Sequence, residues 1–197
     1  MSFTKLDENY ALLLIDFQKG ITSGIPTTEL QPVVENAQRL LKAVREANKP
    51  VFFITYNPFL GNLVTARCDE PMFPPGTDLV AAEAIMQANG WFELIPDFKP
   101  LPGEVQLVKP AWNAFYGTSL QSKLSQLGVT QLIFTGITTS SDIEATAIAG
   151  LECGYNLVFA LDALGDNEPV GDAEVKIKKL PKIGQDGQTN NLISLIR

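Results

Sequence analysis

The sequence predicts an α/β fold in which a mostly parallel central sheet lies between two layers of helices. Two observations lead to this prediction. Short, continuous apolar runs recur along the chain, as buried strands do, and segments with helical spacing separate them. Such alternation is typical of parallel sheets covered on both faces. The length of 197 residues fits a single domain spanning 1–197.

The first βαβ unit is read from residues 10–57. "YALLLIDF" at 10–17 and "VFFITYN" at 51–57 are apolar runs rich in β-branched, aliphatic and aromatic residues, which predict buried strands. Between them, apolar residues from Leu30 to Val44 repeat at helical spacing, and Pro50 closes the segment. A parallel pair of strands joined by a helix follows.

The same alternation continues in the second half of the chain. It predicts strand, helix, strand, helix and strand at 104–110, 117–128, 130–136, 141–154 and 155–164.

Two stretches lack a clear pattern of helix or strand. Residues 57–77 carry four prolines and two glycines, which predicts a long loop of the kind that often serves as a lid or binding segment. The tail from 165 to 187 is charged and loosely patterned. Neither stretch predicts a regular element.

Composition argues against several classes of function. The chain has 15 basic and 22 acidic residues, so its surface should repel nucleic acid and anionic lipid headgroups. It has no basic and apolar leader and no apolar run of about 20 residues, so we expect no membrane segment and a cytoplasmic location.

The chain contains no histidine and two cysteines, Cys68 and Cys153, that are far apart in sequence. The absence of histidine excludes Ser-His-Asp and Cys-His catalysis and every histidine-ligated metal site. The cysteine spacing predicts neither a disulfide framework nor a zinc cluster. Acid–base chemistry would therefore fall to Asp, Glu, Lys, Tyr or Cys.

Three charged residues stand at or just beyond the ends of predicted strands: Asp16, Lys109 and Asp142. Ligands of open α/β sheets bind at the carboxyl ends of the strands, so the three residues predict a site there. Each also has a structural interpretation. Asp16 could cap a turn, Lys109 could be solvated, and Asp142 could favour the N-terminal end of a helix.

Four blocks of sequence resemble the isochorismatase-like hydrolases, also called the cysteine hydrolase family. They are "ALLLIDFQ", "VKPAWNAFYGTSLQSKL", "IFTGITTSSDIEATA" and "GYNLVFALDA", in the order that the family has them. The resemblance covers about residues 10–163. It implies a Rossmann-like fold and a triad of Asp, Lys and Cys, in which Asp16 and Lys109 take the first two places.

The third place of the triad does not match, because Asp142 stands where the family has its nucleophilic cysteine. A carboxylate is a poor nucleophile toward amides, and its charge repels a developing oxyanion. Amidase activity is therefore disfavoured. Isochorismatases proper work without the cysteine and use the aspartate as a general acid on a vinyl ether. A second carboxylate would raise the pKa of Asp16, and Lys109 would lower it.

The residues that flank Lys109 could surround a substrate. Trp112, Phe115 and Tyr116 could form the wall of a pocket for a planar ligand, although aromatic residues in such a segment are at least as often part of the core. Asn113 could donate a hydrogen bond to the substrate. The resemblance also implies a cis peptide between Ile137 and Thr138, which would direct backbone N–H groups into the pocket.

The sequence therefore predicts a hydrolase of a small metabolite, an enol ether or a carbonyl compound, with Asp16 as general acid or base. We expect no cofactor, no metal and a homo-oligomer. The alternatives are a catalytically degenerate module that binds a small molecule on the same scaffold, and a structural partner with a vestigial site.

Overall fold

The computed structural model describes residues 4–167 and 179–197, and its centre is one parallel sheet. The six strands are β1 (Tyr10–Ile15), β2 (Val51–Tyr56), β3 (Val105–Lys109), β4 (Gln131–Gly136), β5 (Asn156–Leu164) and β6 (Gln185–Gly187). They lie in the order β3-β2-β1-β4-β5-β6, and every neighbouring pair is parallel. The predicted sheet is confirmed.

Six α-helices lie in the described segments: α1 (Lys19–Thr22), α2 (Thr27–Glu46), α3 (Leu79–Ala88), α4 (Leu120–Gln126), α5 (Glu144–Glu152) and α6 (Thr189–Ile193). A π-helical turn, Thr139–Ile143, leads directly into α5. None of these helices combines the length and apolar character that crossing a bilayer requires.

Strand β1 shows why the fold has three layers. Leu12 and Leu14 belong to a core that α2 completes, whereas Leu13 and Ile15 belong to a second core, completed by α4 and α5. Successive side chains of a strand point to opposite faces, so a strand that is apolar throughout requires cover on both sides. Burying each such side chain contributes about 1.5–3 kcal/mol. The predicted three-layer α/β/α architecture is confirmed.

The strand order places a crevice between β1 and β4. The chain builds the sheet outward from β1 through β2 to β3, and then returns to add β4 on the other side of β1. At such a reversal the loops after the two central strands diverge, and a ligand can bind between them. Asp16 directly follows β1, and the π-helical turn containing Asp142 follows β4.

The structure differs from the sequence prediction in several places, and the helices α1, α3 and α6 were not predicted. The helix predicted over 117–128 begins only at Leu120, because Gly117 has a φ of 68°, outside the helical range. The loop at 57–77 contains two short 3₁₀ turns, Pro58–Leu60 and Leu63–Thr65. The tail at 165–187 contributes β6 at the sheet edge, and part of that tail, 168–178, lies outside the described residues.

Candidate active site

The structure brings Asp16, Lys109 and Asp142 together at the carboxyl edge of the sheet. Lys109 Nζ lies 2.9 Å from Asp16 Oδ2 and also forms an ion pair with Asp142 Oδ1. All three residues are buried: Asp16 and Lys109 have 0% of their surfaces exposed, and Asp142 has 5%. Charged groups at such depth are costly unless they are paired, and here each one has an opposite charge beside it.

The two carboxylates have very different hydrogen-bonding environments. Asp142 receives the ammonium of Lys109 on one oxygen, and the hydroxyls of Thr138 and Ser141 each lie 2.8 Å from the other. Asp16 has the 2.9 Å contact of Lys109 Nζ with Oδ2, and no hydroxyl or backbone N–H of the described chain donates to either of its oxygens. Asp142 is thus the ionic partner of Lys109, and Asp16 is the carboxyl better placed to carry a proton.

The electrostatics of the site point the same way. Burial raises the pKa of Asp16 well above its ordinary value; the charge of Asp142 raises it further, and Lys109 opposes both. Burial by itself would lower the pKa of Lys109, but the two carboxylates outweigh that effect and raise it. The site therefore combines a carboxyl that favours its neutral form with a lysine that stays charged.

Tyr56, the last residue of β2, belongs to the same cluster although sequence analysis did not select it. Lys109 Nζ lies 4.5 Å from the centroid of the Tyr56 ring, an arrangement that favours a cation. The buried phenol oxygen of Tyr56 has no hydrogen-bond partner in the described chain. Burial raises the pKa of Tyr56, as do the charges of Asp142 and Asp16, so the hydroxyl keeps its proton.

Gln18 fixes the end of β2 beside the site. Its side-chain amide donates to the carbonyl of Tyr56 over 2.9 Å and accepts from the N–H of Tyr56 over 2.5 Å. Gln18 is fully buried, so these two bonds satisfy its carbonyl oxygen and part of its NH₂ group. Tyr56 stands at the end of a predicted strand, and this position could have marked it as a candidate site residue in the sequence.

The turn after β4 is held by a close approach of two strands. A Cβ atom at Gly136 would lie 2.4 Å from the carbonyl oxygen of Ile15, so only glycine fits there. The expectation of a cis peptide between Ile137 and Thr138 is wrong, because that bond is trans. The chain turns instead through a left-handed Thr138, which has a φ of 59°.

Internal acceptors occupy the backbone N–H groups of this turn. Those of Ser141, Asp142 and Ile143 donate to the carbonyl oxygen of Thr138, and that of Thr139 donates to the carbonyl oxygen of Gly165. The N–H of Ser140 donates to the carboxylate of Asp166 over 2.6 Å. An oxyanion hole requires N–H groups directed at the substrate, and these five already have partners.

The five residues predicted to contact a substrate occupy different environments. Trp112 is half exposed, and the side-chain oxygen of Asn113 accepts the N–H of Phe115 over 2.8 Å. The ring of Phe115 stacks on Tyr155 in the core, with centroids 6.0 Å apart. Ile137 is fully buried in the core on the α2 side, and Thr138 contacts Asp142 directly. Of the five, Thr138 is the one with a recorded contact to the charged cluster.

Neither the cysteines nor the surface cavity beside the 57–77 loop coincides with the charged cluster. Cys68 and Cys153 are both exposed, and Cys153 directly follows α5. A cavity of about 640 Å³ is lined by residues between Val64 and Leu79, all within or next to the predicted loop. None of its lining residues belongs to the cluster, so the buried pairing carries the assignment of the site. In the described chain no three acidic or cysteine side chains are grouped so as to hold a metal.

Comparison with known proteins decides the family. The model described as the isochorismatase domain matches residues 10–186. The chain belongs to the isochorismatase family. A small-molecule substrate fits this family of hydrolases.

The relatives of this chain include both uncharacterized proteins and a named enzyme. It is 27% identical over 189 residues to the uncharacterized isochorismatase family protein YwoC of Bacillus subtilis (strain 168), covering 95% of this chain and 94% of that protein. It is 27% identical over 178 residues to the ureidoacrylate amidohydrolase RutB of Cronobacter sakazakii, covering 82% and 77%.

A solved structure supports the fold over the whole length. An isochorismatase family protein from Burkholderia thailandensis superimposes with a TM-score of 0.80 at 27% identity, covering 99% of both chains. The strand order and flanking helices described above are therefore those of the isochorismatase family.

Proposed function

We propose that this protein hydrolyses a small enol ether or carbonyl compound, with Asp16 as general acid and base and no cysteine nucleophile. The observation that carries the proposal is the difference between the two buried carboxyls. Asp142 is held by Lys109 and two hydroxyls, whereas Asp16 has only the contact with Lys109 and an elevated pKa. A carboxyl that is protonated near neutral pH can act as a general acid.

For an enol ether, the reaction begins with transfer of the Asp16 proton to the terminal carbon of the double bond. The resulting oxocarbenium ion takes up water, and Asp16, now a carboxylate, recovers a proton from that water. The hemiketal then separates into an alcohol and a ketone, so the net reaction is hydrolysis of the enol ether by one water molecule. Asp142 supplies a negative charge near the cation, as paired carboxylates do in glycoside hydrolysis.

Two features argue against a thiol mechanism of the amidase type. The position that the resemblance assigns to the nucleophile carries Asp142, whose charge would oppose an oxyanion. The N–H groups of the adjacent turn are bound to internal acceptors. We therefore infer that this chain departs in chemistry from its amidohydrolase relative.

Contacts to the substrate are part of the proposal. We assign a wall of the pocket to Trp112, half of whose surface is exposed, and a polar contact to Thr138. Phe115 and Ile137 pack in the core, and the side-chain oxygen of Asn113 is bonded within the chain, so these three residues support the assignment less. A cytoplasmic location and a homo-oligomeric state stay predictions, and light scattering on the purified protein would test the second.

A substrate screen tests the proposed function. Wild type, Asp16→Asn and Asp142→Asn are compared on enol ethers of the isochorismate type and on small amides. We expect enol ether turnover by the wild type and none by Asp16→Asn, which keeps the shape of the residue but cannot supply the proton. If no compound is turned over and one binds tightly, the protein is a binding module instead of a hydrolase.

A further inference from the structure

Buried side-chain polar atoms that lack a hydrogen-bond partner are concentrated at the candidate site. In the described chain there are four: the hydroxyl oxygens of Tyr10 and Tyr56 and both carboxyl oxygens of Asp16. Three of the four thus belong to two residues of the charged cluster. Buried polar groups are nearly always bonded, so a concentration of unbonded ones needs an explanation.

Asp16 and Tyr56 face the same ammonium group. Lys109 Nζ lies 2.9 Å from Asp16 Oδ2 and 4.5 Å from the centre of the Tyr56 ring. The residues end adjacent strands, because β1 and β2 pair in parallel and the N–H of Asp16 donates to Ile54 of β2 over 2.8 Å. The carboxyl and the phenol therefore border one small region.

The surroundings of both groups favour the form that can donate a hydrogen bond. Burial keeps the Asp16 carboxyl toward its neutral form and the Tyr56 phenol protonated. A neutral carboxylic acid beside a tyrosine hydroxyl is one known form of oxyanion hole. The backbone N–H groups of residues 139–143, which could otherwise play this part, already have acceptors.

We propose that Tyr56 is a catalytic residue whose hydroxyl, together with the Asp16 carboxyl, binds one acceptor oxygen of the substrate. An oxygen that accepts from both groups removes the cost of leaving them unbonded. This inference rests on the proposed function for the identity of the oxygen, which would be the carbonyl oxygen of the compound hydrolysed.

The charges of the cluster define the class of ligand. Lys109 is already matched by Asp142, with which it forms an ion pair, and Asp16 favours its neutral form. No positive charge is left to balance an anionic group. The two donors therefore select an uncharged oxygen, and a carboxylate in the same place would be rejected.

The chain provides a matched control for Tyr56. Tyr10 also has a buried hydroxyl without a partner, and Lys49 Nζ lies 5.4 Å from the centre of its ring. Tyr10 is the first residue of β1, whereas Asp16 follows the last residue of that strand, so the two residues lie at opposite ends of β1. Tyr10→Phe and Tyr56→Phe thus remove the same atom from similar surroundings, one far from the site and one within it.

The test measures binding of acetamide, a small uncharged carbonyl compound, by NMR titration of wild type and both variants. We expect Tyr56→Phe to bind acetamide about 3- to 10-fold more weakly than the wild type, the loss of one hydrogen bond, and Tyr10→Phe to bind as the wild type does. Acetate, which is of similar size but charged, should bind the wild type more weakly than acetamide.

Urea unfolding of the same proteins separates a binding role from a structural one. If each hydroxyl is unbonded in the free protein, neither variant should unfold at a lower urea concentration than the wild type. A lower midpoint for Tyr56→Phe, equal acetamide affinity of Tyr56→Phe and wild type, absence of saturable binding, or tighter binding of acetate would overturn the inference. Failure to find any hydrolysed compound would count against the proposed function but leave these binding results to stand.

Discussion

Replacing Lys109 with methionine should destabilise the protein more than any ordinary surface change. Lys109 is fully buried between Asp16 and Asp142, and methionine fills a similar volume without the charge. Removing one partner of a buried ion pair costs about 3–5 kcal/mol, because it leaves the other charge buried and unbalanced. Two hydroxyls still contact Asp142, so we expect a loss of about 3 kcal/mol.

Urea unfolding at neutral pH, followed by circular dichroism, measures this loss. For a chain of this length a loss of 3–5 kcal/mol lowers Tm by about 6–20 °C. Lys49→Met is the control: it also removes an ammonium near a tyrosine ring, but from a partly exposed position, so its cost should stay within about 0.5 kcal/mol. Equal stability of Lys109→Met and wild type would refute the buried pairing.

Three further outcomes follow from the two carboxyls. Because the pKa of Asp16 is raised in the folded protein, the wild type loses stability as the pH rises above the ordinary carboxyl pKa of about 3.9. The free energy of unfolding of Asp16→Asn, measured by urea unfolding at graded pH, should therefore increase relative to that of the wild type by up to about 1.4 kcal/mol per pH unit. Asp142→Asn removes a charge that raises the pKa of Asp16, so the fall in kcat/KM with rising pH should begin at lower pH. Asp142→Cys should give at most slow turnover of small amides in an ammonia-release assay, because the N–H groups of residues 139–143 already have acceptors.

Much of the sheet could be predicted because its strands are buried on both faces. β1 and β4 are apolar or fully buried along their whole length, so each produces a continuous run that no amphipathic helix would show. The sequence of β6 contains no such apolar run. Its three residues, Gln185–Gly187, lie at the sheet edge and are only partly buried, so no apolar pattern was required of them.

The charged cluster could be predicted because strand ends converge in a parallel sheet. Asp16 and Lys109 adjoin apolar runs, and their charges mark them as exceptions to the pattern. Tyr56 stands at an equivalent place but, as an aromatic residue, continues the apolar run of β2. Its role depends on an unpartnered hydroxyl, which only three-dimensional contacts can show.

The local backbone geometry of the turn after β4 could not be predicted from the sequence. A π-helical turn and a left-handed threonine are set by hydrogen bonds to Gly165 and Asp166, more than twenty residues away. Propensities of neighbouring residues contain no information about such distant acceptors. The cis bond expected at Thr138 failed for this reason.

The central claim is that Asp16, and not a thiol, performs the chemistry. The most direct test is the initial rate of enol ether hydrolysis by wild type, by wild type alkylated with iodoacetamide at Cys68 and Cys153, and by Asp16→Asn. Both thiols are exposed and so open to the reagent. We expect alkylated and untreated wild type to react at the same rate, and Asp16→Asn to show no turnover. Loss of activity on alkylation, with Asp16→Asn as active as the wild type, would contradict the account.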